Sequence, residues 1–279
     1  MPALVLLSPA PGAGKTTVAA ALSRGSSGAR MSRLGDDGSA AADASLFAKL
    51  GGSGDLEIIE APGGDPSAAP GTSAVVVADA ATPTAELAAF VQSAGERVTG
   101  VVLNRVPSRQ WERVLKGVEE LGVKVLMALP EDRLLATPSL GEVASALQAQ
   151  TLFFDSNGDR ALDGAAIASI SADPGQGYFL DRDAGTVIVR SDKPDLQLAA
   201  LNAGAVCLIV TGSLPLLGYV TERAEADEIP VIRTALDTVA TMKTIEGLFG
   251  SGPFSGSASK LSRLAELTQG FDASPLFAG

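Results

Sequence analysis

The chain contains no histidine, so an imidazole general base, a Ser-His-Asp triad and a His-ligated metal are all excluded. Cysteine is nearly as scarce. Cys207 stands alone, which rules out a disulfide framework and a cysteine-built metal site and makes a cytoplasmic compartment the simplest expectation. Its neighbours Val206 and Leu208 to Val210 mark it as a buried structural thiol. Basic residues are in deficit, 21 Lys and Arg against 32 Asp and Glu for a net charge of −11. With no basic stripe either, nucleic acid and anionic membrane surfaces are not expected partners. The N-terminus has no basic n-region and is not read as a secretory signal. Gln197 to Thr221 carries no formal charge, yet Asn202, Gly204, Thr211, Gly212, Ser213, Pro215 and Gly218 divide it into a helix, a strand and a turn rather than a membrane span.

What is present is apolar and alternating. With 279 residues and 46% hydrophobic content the chain can fill two cores of ordinary size. Short β-branched runs at Ala3–Leu7, Leu56–Ile59, Ala74–Val77, Val98–Leu103 and Lys124–Ala128 are separated by helical patterns at Thr16–Arg24, Ala40–Leu50, Thr84–Ala94, Ser108–Leu121 and Leu140–Gln148. Such alternation predicts an α/β fold, a parallel sheet with helices on both faces. Ser139 with Glu142 three residues on reads as a capping box, and Gly95 and Gly122 stand at helix stops. After a polar break at Asp155 to Asp159 the pattern restarts. Strands are expected at Ala165–Ser169, Thr186–Val189, Ala205–Val210 and Pro230–Arg233, and helices at Asp195–Ala203, Gly218–Ala226 and Thr238–Phe249. The expected organisation is a nucleotide-binding domain over 1–150, a smaller α/β domain over 151–250, and a linker with an amphipathic helix, Ser259–Thr268, over 251–279.

Between the first strand and the first helix lies Ser-Pro-Ala-Pro-Gly-Ala-Gly-Lys-Thr-Thr, Ser8 to Thr17. A strand, a glycine loop and a helix in this order form a phosphate cradle. Pro11, Gly12, Ala13, Gly14, Lys15, Thr16 and Thr17 would surround the anion, all but Pro11 with backbone N–H groups, Lys15 would reach the β- and γ-phosphates as the catalytic cation, and the Thr16 hydroxyl would ligate Mg2+. Lysine in a first helical turn opposes the helix dipole unless an anion is there to offset it. The pattern departs from its usual form at Pro9, where a glycine is expected; proline fixes φ and removes one N–H. A scaffold with a vestigial loop is the reading that this departure favours.

A bound metal needs carboxylates. Glu60 closes the strand Leu56–Ile59 and precedes the Ala61-Pro62-Gly63-Gly64 turn, which carries the chain across the carboxyl edge of the sheet where ligands of such folds bind. Asp43, Asp36 and Asp37 precede that strand and could add a second metal ligand, or lie on a solvated face. Asp79 ends the next strand and either faces the crevice or caps the following turn. Asn104 ends the strand after it; its amide suits a purine edge, or closes an Asx turn.

Residues 1 to about 150 resemble the dethiobiotin synthetase-like P-loop family, which also supplies the N-terminal domain of long phosphotransacetylases. The resemblance is carried by Pro11–Thr17, Ile59–Gly64, Leu103–Val106 and Leu129–Asp132. Residues from about 160 to 250 resemble the DRTGG domain that follows in those proteins, through Asp195–Leu201, Cys207–Gly212 and Pro230–Ile232, with Ser213 in place of the second glycine of the Thr-Gly-Gly turn. These resemblances imply a P-loop NTPase-like sheet followed by a DRTGG domain that forms homodimers. They imply ATP and Mg2+ as cofactors, with Glu60 and Thr16 on the metal, Asn104 on adenine, and Arg105 and Pro130 also among the nucleotide-binding residues. Two functions follow: a regulatory ATP-Mg-binding protein, or an ATP-dependent ligase that activates a small carboxylate or carbamate. The ligase would need a substrate-side lysine, for which only Lys49 lies between Lys15 and Glu60. Acetyl transfer is not expected, since the acetyltransferase domain has no counterpart here.

Overall fold

In a computed structural model the described residues are 2–26, 28–35, 44, 46–48, 50, 52, 54–153, 157–162, 164–168, 185–250, 252 and 254–277. The chain forms two compact units, one of residues 1–135 and 258–279, the other of 136–257. Both are mixed α/β. The second unit is thus an excursion from the first, which the chain re-enters at Ala258.

Among the described residues the first unit has a six-stranded, wholly parallel sheet in the order β2-β3-β1-β4-β5-β6. The strands are β1 Ala3–Leu7, β2 Arg30–Arg33, β3 Glu57–Glu60, β4 Ser73–Asp79, β5 Val98–Val106 and β6 Val125–Pro130. Central strands of parallel sheets are buried on both faces and so read as unbroken apolar runs. That is what β1 and β4 are: Leu4 to Leu7 and Ala74 to Ala78 are all inaccessible to solvent. On one face Val5, Leu7, Val76, Ala78, Val101 and Leu103 meet Leu87, Ala94 and Val118 from the helices Thr84–Ala94 and Trp111–Glu119. The helix Lys15–Gly25 also packs on the sheet, burying Val18 to Ser23. The last helix, Ala258–Leu267, buries Lys260 and Leu264 in this unit. Arg263 Nε donates to Asp132 Oδ2 at 2.8 Å, and Ala273 N donates to Gly25 O at 3.0 Å. Burial alone would raise the Asp132 carboxyl, but the Arg263 hydrogen bond and charge, with the Leu135 amide, hold it below its ordinary value.

The second unit has, among the described residues, a five-stranded sheet in the order β7-β11-β10-β9-β8. Its strands are β7 Gln150–Leu152, β8 Ala165–Ile167, β9 Thr186–Arg190, β10 Cys207–Thr211 and β11 Val231–Thr234, and only β7 runs antiparallel. Alternate residues feed opposite cores. Val187, Val189, Leu208, Val210 and Val231 pack with the helices Pro194–Asn202 and Gly218–Ala226. Ile188, Cys207, Ile209 and Ile232 pack with the helices Leu140–Ala146 and Thr238–Leu248. The two ends of this unit are joined where Gly250 N donates to Ala136 O at 2.9 Å. Burial pushes the Cys207 thiol up to about 12, so it is an inert core residue.

The Ser139 capping box forms as expected: Glu142 N donates to Ser139 Oγ and Ser139 N to Glu142 Oε2. The helix expected from Ser108 starts later. Ser108–Gln110 is a 3₁₀ turn and the α-helix runs Trp111–Glu119. Of the helix expected over Ala40–Leu50, only residues 44, 46–48 and 50 are described, and they are helical. Among the described residues no helix is long and apolar enough to cross a membrane. The uncharged stretch Gln197–Thr221 divides among a helix, β10 and a helix start, as its polar breaks require.

Candidate functional site

Since every strand of the first sheet runs parallel, their carboxyl ends share one edge. β1 sits where the chain adds strands to both sides, β3 and β2 on one, β4 to β6 on the other. Its carboxyl end is the topological switch point at which open α/β sheets bind ligands. The loop Ser8–Gly14 leaves β1 there. Glu60, Asp79, Asn104, Arg105 and Pro130 lie at the same ends of β3, β4, β5 and β6.

The loop turns on two glycines in the left-handed region, Gly12 at φ 76° and Gly14 at φ 86°. The helix Lys15–Gly25 starts directly behind Gly14, with no side chain capping its first turn and no acidic residue in it. A helix N-terminus in this state presents backbone donors and a positive dipole end to an anion. Lys15 Nζ donates to Ser8 Oγ at 2.8 Å, while that hydroxyl donates to Ala10 O at 2.7 Å. Ser8, at the end of β1, is therefore a post that fixes the ammonium group beneath the loop. The apolar run before the motif gave no sign of that role.

Glu60 is 2% exposed and accepts a hydrogen bond from Thr16 Oγ1 at 3.1 Å. The pairing follows from register. Leu6 and Glu60 are neighbours on β1 and β3, so the turn after Glu60 meets the loop after Leu7. Ala61 N donates to Leu6 O and Gly64 N to Ser8 O. Between them Gly63 approaches so closely that a Cβ there would stand 2.4 Å from Pro11 N.

Asp79 caps the turn after β4, accepting from Ala81 N, Thr82 N and Thr82 Oγ1 with Oδ1, and it also faces the crevice, where Oδ2 accepts from Arg105 Nη2 at 2.6 Å. Both sequence alternatives for Asp79 are thus realised at once. Burial alone would raise its carboxyl, but the Arg105 hydrogen bond and charge, together with Thr82 and Ala81, hold it below the ordinary carboxylate value. Arg105 Nη2 also donates to Gly12 O at 2.7 Å, and Asn104 Nδ2 donates to Ala13 O at 3.1 Å. Asn104 Oδ1 accepts from Arg105 N, so no Asx turn forms. Pro130 pairs with Val106 one strand further along the same edge.

Asp36, Asp37, Asp43 and Lys49 lie outside the described residues. Thr16 and Glu60 offer two hard oxygens side by side, the donor chemistry Mg2+ prefers, and such ions complete their octahedra with water and phosphate oxygens rather than an all-protein cage. Among the described residues no group of three or more Cys, Asp or Glu could hold a metal by itself. In the second unit, Gly212 follows β10 at φ 98°, and its N donates to Thr234 O and Leu236 O. A Cβ at Gly212 would stand 2.8 Å from Ser191 Oγ, so the turn binds the ends of β9, β10 and β11 together.

Residues 142–248 match the DRTGG domain family. A solved structure of the CBS and DRTGG domains of the regulatory region of Clostridium perfringens pyrophosphatase, complexed with the activator diadenosine tetraphosphate, is similar at 18% identity. That similarity covers 42% of this chain and 51% of that chain, with a TM-score of 0.35. The chain thus spans about half the length of that structure.

Proposed function

We propose that the protein is a regulatory nucleotide-binding protein, holding ATP-Mg in a P-loop NTPase-like part akin to the dethiobiotin synthetase-like domain of long phosphotransacetylases, and passing that state to its DRTGG-like part. The observation that carries this is the hydrogen bond from Thr16 to Glu60 at the foot of the glycine loop, between residues 44 apart in sequence. Pro11 to Thr17 surround the triphosphate and Lys15 faces its β- and γ-phosphates. Thr16 and Glu60 hold the metal, with Asp43 as a further candidate. Bound there, Mg2+ would offset the charge shared by the two terminal phosphates. Asn104 and Pro130 border the base, with Arg105 beside them on the glycine loop; the Asn104 amide has two N–H groups, so holding Ala13 O leaves one for a purine edge.

Calorimetry with ATP-Mg tests the reading. A saturable heat with a dissociation constant of about 1–100 μM is expected, weakened about 10-fold or more by EDTA, since charge-assisted contacts of this kind contribute at least one factor of ten. A folded protein that gives no heat overturns it. Phosphate release stimulated by small diamines or carboxylates, above about 0.1 per second, would replace the regulatory account with a ligase.

The DRTGG-like part is proposed to pair two copies of the chain. Leu214, Leu217, Tyr219, Leu236 and Val239 are exposed on the segments that follow β10 and β11, an apolar set of the kind that marks interaction sites. Light scattering should give twice the 28.1 kDa of one chain, and a monomer at high concentration would refute the pairing.

A further inference from the structure

Adjacent residues of a strand point to opposite faces, yet Asn104 and Arg105 both reach the glycine loop. Two irregularities make this possible. The pairing of β5 with β6 slips register between Leu103 and Val106, and Arg105 itself takes φ 54°, the left-handed region that a non-glycine side chain rarely adopts. Local backbone strain at a strand end re-aims side chains and persists where the surroundings hold it. Here the holding contact is Asp79, locked by its own turn and pairing with the same Nη2 that donates to Gly12 O.

The acceptors are two successive carbonyls, Gly12 O and Ala13 O. In a planar trans peptide the C=O and the following N–H point in opposite directions. Drawing the Gly12 and Ala13 carbonyls toward the end of β5 therefore turns the N–H groups of Ala13 and Gly14 the other way. We infer that Asn104 and Arg105, backed by Asp79, are positioning residues that pre-aim the loop amides at the phosphate end of the ligand. The assignment rests on the nucleotide reading above for the identity of the anion, and on the two carbonyl contacts for the mechanism. Arg105 then acts on the polyphosphate through the backbone, and Asp79 acts only through Arg105.

Arg105→Gln, Asp79→Asn and the double variant, each with a thermal melt, test the inference with ATP-Mg and with inorganic tripolyphosphate. Arg105→Gln should lose about 10-fold in affinity for both probes alike, and Asp79→Asn about 3-fold, the range in which pre-organisation of a binding loop acts. The double variant should match Arg105→Gln alone, because residues acting in series are non-additive. Arg105→Lys should restore part of the loss. In the ligand-free protein, ¹⁵N relaxation at Ala13 and Gly14 should show faster motion in Arg105→Gln than in wild type. Additive losses, a loss confined to ATP, or unchanged loop relaxation would overturn the inference. Wild type that binds neither probe would instead overturn the nucleotide reading, and the relaxation result would still decide whether the clamp orders the loop.

Discussion

Lys15→Ala is expected to lower affinity for ATP-Mg by about 100-fold or more, equivalent to about 2.7 kcal/mol, while the melting temperature moves by no more than a few degrees. The ammonium group is held 2.8 Å from Ser8 Oγ, and Ser8 is fully buried at the end of β1. A cation pinned at the base of a glycine loop meets a polyphosphate without first being ordered, so its removal falls on binding. Stability changes less because two effects offset each other. Alanine loses the contact to Ser8, but it is the better helix former and removes a positive charge from the first turn of the helix Lys15–Gly25, where the macrodipole disfavours one. Calorimetry alongside thermal denaturation separates the two quantities. A variant that binds ATP-Mg as tightly as wild type would show that the loop is not a phosphate cradle.

The sequence revealed this loop because its chemistry is local: glycines, a lysine and a helix start within ten residues. The central strands were legible for a related reason. β1, β4, β9 and β10 are buried on both faces, and burial on both faces leaves a short unbroken apolar run bounded by turn residues, which its length marks as a strand. The strands that carry no such signal are the polar ones. β2, Arg-Met-Ser-Arg, and β7, Gln-Thr-Leu, lie at sheet edges and are partly or wholly exposed, so they carry no apolar signal and owe their conformation to the partner strand.

At the candidate site the same division appears. Glu60 could be picked out as a strand-end carboxylate before a glycine turn, and the structure brings it to Thr16. The grip of Asn104 and Arg105 on the loop could not be foreseen, since it depends on a register slip and on one left-handed residue that no local pattern encodes. The return of the last helix to the first unit was equally hidden. Its amphipathic face is visible in Ala258–Leu267, but the partner that completes it, Asp132 receiving Arg263, lies 131 residues away. Long-range polar pairs leave only single charged residues in the sequence, and single charged residues are normally solvated.

Gly63→Ala is expected to destabilise the protein by about 1–3 kcal/mol and to weaken ATP-Mg binding by about 10-fold or more, although it adds one methyl group to a surface turn. The new Cβ would stand 2.4 Å from Pro11 N, 2.7 Å from Ala10 C and 2.8 Å from Pro11 Cα, all backbone atoms that cannot rotate aside. The turn cannot retreat cheaply either, because Ala61 N and Gly64 N are hydrogen-bonded to Leu6 O and Ser8 O on either side of it. The glycine loop must therefore give way, and Pro9 and Pro11, with φ fixed by their rings, limit how it can do so. Displacement at Pro11 carries directly into Gly12 and Ala13, whose carbonyls Arg105 and Asn104 hold, and so into the amides that would meet the phosphates. Gly117→Ala serves as the control. In the last turn of the helix Trp111–Glu119 a Cβ meets only Thr84 Cγ2 at an ordinary 3.6 Å, and the substitution should stabilise by up to about 0.5–1 kcal/mol through helix propensity alone. Chemical denaturation and calorimetry on the two variants should therefore give opposite signs for the same chemical change; equal and small effects would mean that the turn after Glu60 does not brace the loop.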